Sequence, residues 1–301
     1  MNKLCRMLAV ILVILIVTIP LTAYGQSEGH IKALMNTVNS QLAAGGGSVR
    51  LWVTETYTGS QYAGQTVYFN NRTLRLDADW VPGDPGRSGN TDISWLSDLT
   101  EGTAKGVLLD DTQTAIYRAM TTWNNVGCSY IPLVKLGDTD IDLGYVQYLV
   151  GMGGVPGWLA DYTLAGWLPA AFFETALGPG TSEYVLGVTF TFIWVDESGN
   201  PTDIDNNKKL DVAFRETYFN NDFPWGINTT FPIDVESVVL HEAGHGLSLG
   251  HFGKLIRTDA NGKLHFAPKA VMNAGYVTVQ QSLSISDMGA FCSIWASWPN
   301  R

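Results

Sequence analysis

The chain has 301 residues, 46% of them hydrophobic and 15% charged, with a formal net charge of −10. This composition can bury a large core and excludes an intrinsically disordered chain, which combines few apolar with many charged residues. The negative balance argues against nucleic acid or an anionic membrane surface as a partner.

The chain begins MNKLCRMLAVILVILIVTIPLTAYG. Lys3 and Arg6 precede an uncharged apolar run over 8–21, and small residues follow at Ala23 and Gly25, so residues 1–25 read as a secretory signal peptide cleaved near Gly25. The run is shorter than the roughly 20 residues of a spanning helix. Export is expected, to the exterior or, in a bacterium, the periplasm. Loss of Lys3 and Arg6 makes the net charge −12, and no later apolar run reaches spanning length, so a soluble, monomeric mature protein without membrane contact is expected. Cys5 leaves with this segment. Cys128 and Cys292 remain as an even pair in an oxidising compartment and are expected to form a disulfide, two buried free thiols being the alternative.

Residues 26–48 read as an arm or short pro-segment, helix-like around 30–42 and ending in Gly45, Gly46 and Gly47. Alternating β-branched, aromatic and polar residues predict two strands within 49–79. Asp110 or Asp111 can cap a helix running to about Asn125, with Ile116, Ala119, Met120 and Trp123 on one face and Gly127 as its stop. The segment IPLVKLGDTDIDLGYVQYL predicts further strands, and the Gly- and Pro-rich stretch 151–180 predicts a long surface loop with short elements. Residues 183–219 predict two strands around an acidic, Asn-rich connection.

The segment IDVESVVLHEAGHGLSLGH carries the chemistry. Asp234 is a good N-cap, and Val235, Val238, Val239 and Leu240 supply an apolar face, so a helix is predicted. His241 and His245, four residues apart, project from one face and can share a zinc ion. A catalytic zinc takes three protein ligands. Gly246 and Gly250 bracket a turn that can bring His251 to the metal as the third. Zinc lowers the pKa of its water to about 7, and Glu242, beside a ligand, is placed to act as general base in peptide-bond hydrolysis. Three of the five histidines fall within eleven residues, which chance does not readily give; His30 and His265 read as surface residues.

HEAGHGLSLGH, followed by AVMNAGY, resembles the metzincin metalloproteases, whose pattern is HExxHxxGxxH with a later methionine turn. VESVVLHEAGHGLSLGHFG, YFNNDFPWG, SISDMGAFCSIW and TAIYRAMTTWNNVGCSY are most similar to bacterial secreted matrixins, across roughly residues 108–295. The resemblance implies an α+β catalytic domain over 49–301, with an N-terminal strand extension. It further implies a twisted mixed sheet of about five strands, two long helices, the active-site helix, a methionine turn and a C-terminal helix. Met272 would support the metal site from below, and Tyr276 would line the specificity pocket. Gly187, Val188, Thr189 and Phe190 would form an edge strand that binds extended polypeptide substrates by backbone hydrogen bonds. Three departures stand out: Ser248 where the family has glycine, at about 1–2 kcal/mol in left-handed geometry; Phe252 where it has serine; and 21 positions between His251 and Met272. No cysteine-switch motif precedes the catalytic part.

The acidic connection spaces Asp203, Asp205, Asn207 and Asp211 as in a calcium loop, but Lys208 stands where glycine belongs and Phe214 replaces the bidentate glutamate. A solvated hairpin rich in turn formers is the first reading and Ca2+ the second. Asn71-Arg72-Thr73 and Asn228-Thr229-Thr230 match the glycosylation sequon. The expected activity is that of a secreted zinc endopeptidase. Two alternatives stay open: a non-catalytic zinc-binding or adhesion protein on the same fold, and another zinc hydrolase with a downstream carboxylate ligand.

Overall fold

Strand formation in this chain starts at its N-terminal extension. The structure, a computed structural model, describes residues 21–59, 62–70, 77–137, 139–257 and 264–300, with side chains from residue 28 onward except those of Arg257 and Leu264. Residues 1–20 of the expected signal segment, with Cys5, and the sequon at 71–73 lie outside the described residues. Helix α1 (Leu21–Ala44) buries Ile31, Met35, Val38 and Leu42, a three-and-four spacing that forms one stripe. Asn39 fastens the helix to the next strand, accepting from the Leu51 amide at 2.7 Å and donating to its carbonyl at 3.0 Å. That strand is β1 (Val49–Thr58), followed by β2 (Thr66–Tyr68) and β3 (Ala78–Asp79).

The remaining strands of the main sheet are β4 (Ile93–Ser97), β5 (Leu133–Lys135), β6 (Tyr162–Leu168), β7 (Val185–Trp194) and β8 (Leu210–Asn220). The sheet has eight strands in the order β2-β1-β7-β8-β6-β4-β5, with β3 beside β8. Strands β5, β4, β6 and β8 run parallel, while β7 and β1 are antiparallel to their neighbours. The fold is thus α+β with a mixed sheet, larger than the five strands expected because the extension adds its own. One expectation is corrected outright: Gly187, Val188, Thr189 and Phe190 are not at an edge, because β1 pairs with β7 along its length.

Two further expectations also fail. The stretch 151–180 is not a surface loop; it holds β6, buried at every position, and α4 (Ala170–Leu177). A strand parallel to both neighbours and covered on both faces shows no alternation, so its sequence carries no strand signature. Within the predicted further strands, residues 145–149 form the helix α3 (Tyr145–Leu149), whose first amides at Tyr145 and Val146 donate to the Glu216 carboxylate.

Helix α2 (Leu109–Asn124) begins at Leu108 without a side-chain cap; Asp110 and Asp111 sit inside its first turn, where they favour the positive end of the helix dipole. Trp123 faces the helix α5 (Val235–Gly246) and donates from Nε1 to the Leu240 carbonyl at 2.8 Å. Helices α2, α5 and α6 (Ile285–Trp295) contribute to one large core, and α1 and α4 to a second. A disulfide between Cys128 and Cys292 ties the end of α2 to α6 across 164 positions. Closing so long a loop stabilises by about 5 kcal/mol in the chain-entropy model. Short pairs β9 (Trp225–Gly226) with β10 (Ile233–Asp234) and β11 (Lys254–Arg257) with β12 (Leu264–Ala267) complete the elements. The β11–β12 hairpin fills the long interval between His251 and Met272. Among the described residues no helix is long and apolar enough to cross a membrane.

Candidate metal centre

Asp234 caps α5 as expected, its Oδ2 accepting from the Ser237 amide at 2.9 Å, and every residue of the helix is buried. Gly246 ends the helix where a Cβ would lie 2.8 Å from the Tyr162 ring, so its role is close approach. The left-handed residue of the turn is Ser248 (φ 70°), rather than Gly246 or Gly250. Ser248 Oγ accepts from Arg215 Nη1 at 2.9 Å, a charged hydrogen bond that offsets the strain. The turn returns His251 to the helix.

The three imidazoles converge. Nε2 of His245 lies 3.1 Å from Nε2 of both His241 and His251, and the latter two are 3.2 Å apart. Nδ1 of His241 donates to the Val271 carbonyl and Nδ1 of His245 to that of Leu249, both at 2.7 Å. A carbonyl only accepts, so these rings carry their proton on Nδ1 and turn Nε2 lone pairs inward. Such lone pairs repel unless a cation lies between them. A tetrahedral zinc with bonds of about 2.0–2.1 Å separates its ligands by about 3.3 Å, close to the spacing observed. The residues present therefore fit zinc. Burial first, then the neighbouring His245 and His251, holds His241 well below its usual pKa; burial and His245 bring His251 down to about 3. Neutral imidazole is the ligating form.

Glu242 is buried beside this centre. Its Oε2 accepts from Thr189 Oγ1, while Oε1 is buried without a partner. Burial pushes its pKa up to about 7, against the opposing pull of His245 and Thr189. The carboxylate leans on Gly187, where an added Cβ would come within 2.6 Å of Oε1. Met272 lies beneath the helix, its Sδ so close to Gly244 that a Cβ there would collide with it. Its amide and that of Val271 are held by Asp287, which also completes the capping box of α6 with Ser284. The Tyr276 hydroxyl accepts from the Asp234 amide and donates to the Thr229 carbonyl, both at 3.2 Å, and burial pushes its pKa up to about 12.

Sequence reasoning missed three residues at this centre, all from the N-terminal extension. The Tyr57 ring stacks on His241 with centroids 3.7 Å apart and planes 11° from parallel. Glu55 Oε2 lies 3.1 Å from His245 Nδ1, and Thr66 Oγ1 lies 3.4 Å from His251 Nδ1. Burial raises the Glu55 pKa, but His245, His251 and Arg215 outweigh it and hold the group below the usual range. The one available signal was a glutamate inside the otherwise hydroxyl and apolar stretch 51–58.

In the acidic connection, the carboxylates of Asp203, Asp205 and Asp211 come within 4.8 Å of one another. Asn207 directs its amide nitrogen to Asp79 and Asp205, and Asp211 accepts from the Ile204 amide. The loop thus bonds extensively to itself. His30 and His265 are exposed. No protein-family model matches the chain, and no curated protein matches it.

Proposed function

We propose that the chain is an exported zinc-dependent endopeptidase of the metzincin type, similar to bacterial matrixins, that hydrolyses bonds in extended polypeptides. The observation that carries this reading is the convergence of three inward-facing Nε2 atoms beside a buried carboxylate with one unpartnered oxygen. His241, His245 and His251 would hold the ion. Bound zinc supplies Lewis acidity, polarising a peptide carbonyl and making water nucleophilic near neutral pH.

The protein's own contribution is orientation and proton transfer. Carbonyls of Val271 and Leu249 fix two ligand tautomers and raise their basicity. Thr189 holds one Glu242 oxygen and leaves the other without a partner, and burial gives the carboxyl a pKa suited to receiving and returning a proton near pH 7. Met272 and Asp287 brace the helix from below.

Casein cleavage is the test, on the zinc-loaded chain and on a Tyr57→Gly variant that removes the ring stacked on His241. Cleavage by either, abolished by Glu242→Ala at unchanged zinc content, supports the reading. Stoichiometric zinc with no cleavage by either protein overturns it and favours the non-catalytic alternative.

A further inference from the structure

Strand β1 occupies a particular place. On one side it pairs antiparallel with β7, setting Glu55 opposite Thr189, Thr56 opposite Val188 and Tyr57 opposite Gly187. On the other side Val53, Thr54 and Glu55 pair with Tyr68, Val67 and Thr66 of β2, and past the end of that pairing Thr58 bridges in parallel to Gly275; the Tyr276 amide donates to the Thr58 carbonyl at 2.8 Å, and Thr58 Oγ1 donates to that of Ala274 at 3.2 Å. Between these two walls Glu55 touches His245 and Tyr57 covers His241, so Thr56 carries the backbone across the three-histidine centre.

This stretch is polar yet buried. Thr54, Glu55, Thr56 and Thr58 are all at most 7% exposed, and Thr54 Oγ1 is buried without a partner. Burying a carboxylate and an unpaired hydroxyl costs stability. A polar segment held by backbone bonds between two walls is how an extended peptide binds a sheet edge.

We infer that residues 53–58 are a built-in occupant of the substrate track, so that the intact chain is latent until this strand leaves. The latency rests on the protease reading; the occupancy rests on the geometry alone. If the strand departs in about 1% of molecules, a ligand needing the open centre binds about 100-fold more weakly than to a permanently open one.

The probe is a fluorescent peptide hydroxamate, which requires an accessible zinc ion but no hydrolysis. Zinc-loaded Tyr57→Gly protein should bind it at least about tenfold more tightly than the unaltered chain, and Tyr57→Phe should not. Equal affinity in all three, or no binding by zinc-loaded Tyr57→Gly, overturns the inference. A second measurement needs no variant: saturating probe should accelerate hydrogen exchange at the amides of 53–58 in the unaltered chain. Bound probe with unchanged protection there also overturns it. A Tyr57→Gly protein that gains probe affinity yet never cleaves casein supports occupancy while removing the protease reading.

Discussion

Arg215 reaches from the buried sheet to Ser248, donating from Nη1 to its hydroxyl at 2.9 Å and to the neighbouring Gly246 carbonyl at 3.1 Å. One guanidinium thereby fixes the turn that delivers His251. Left-handed geometry costs a serine about 1–2 kcal/mol, while a hydrogen bond to a charged group contributes about 1.5–3 kcal/mol. Ser248→Ala keeps the strain and loses the bond; Ser248→Gly loses both. Denaturant unfolding should therefore rank the parent as most stable, then glycine, then alanine, with alanine down by about 2–3 kcal/mol. Alanine as stable as the parent would mean that the hydroxyl contributes nothing, and alanine at or above glycine that the left-handed turn carries no strain.

Gly187 is opposite Tyr57 and against Glu242, and this double contact leaves no room for a methyl group. A Cβ would meet Oε1, Cδ and Cγ of Glu242 at 2.6, 3.0 and 3.1 Å. Displacing a catalytic group by about 1 Å can cost on the order of 100-fold in rate. Gly187→Ala, made in the Tyr57→Gly background, should lose activity on that scale while holding its zinc. Activity within about twofold of the background would show that Glu242 tolerates the shift or is not the base.

How much of this centre was legible depends on the distance over which each part is determined. Asp234, His241 and His245 lie within three turns of one helix, so cap, periodicity and ligand spacing could be read locally. Helix α3 escaped because its capping carboxylate, Glu216, sits 70 positions beyond Val146. Strand β6 escaped because full burial erases alternation. The strand character of 49–58 was visible, but its neighbour was not: pairing Tyr57 with Gly187 is a long-range choice on which local pattern is silent. The departure at Ser248 marked a non-glycine residue that would have to take left-handed geometry, but the bond from Arg215 that offsets its strain cannot be seen in sequence.

Removal of metal should be felt in stability. Without an ion the three inward Nε2 atoms of His241, His245 and His251 repel, and with one they become ligands. An ion present at 1,000 times its dissociation constant stabilises the folded state by about 4 kcal/mol. For a domain of this size that corresponds to about 10 °C in melting temperature. Chelation should lower the transition by that amount, and His241→Ala should abolish the difference. A protein that holds one zinc per chain yet melts alike with and without chelator would place the ion elsewhere.

Glu216 offers a test away from the centre. Its carboxylate is buried, accepts from the amides of Tyr145 and Val146 and from the Tyr218 hydroxyl, and burial outweighs these bonds to push its pKa up to about 6. A carboxyl whose folded pKa exceeds its unfolded value near 4.5 binds its proton more tightly when folded. Its contribution is therefore full below pH 4.5 and is lost as pH rises towards 6. A rise from 4.5 to about 6 corresponds to about 2 kcal/mol. Other carboxylates shift the whole curve, so the informative quantity is the stability of the parent minus that of Glu216→Gln, which cannot titrate. That difference should fall by about 2 kcal/mol between pH 4.5 and 6 and then level off. A flat difference would mean that the three hydrogen bonds compensate the burial fully, and a rising one that they exceed it.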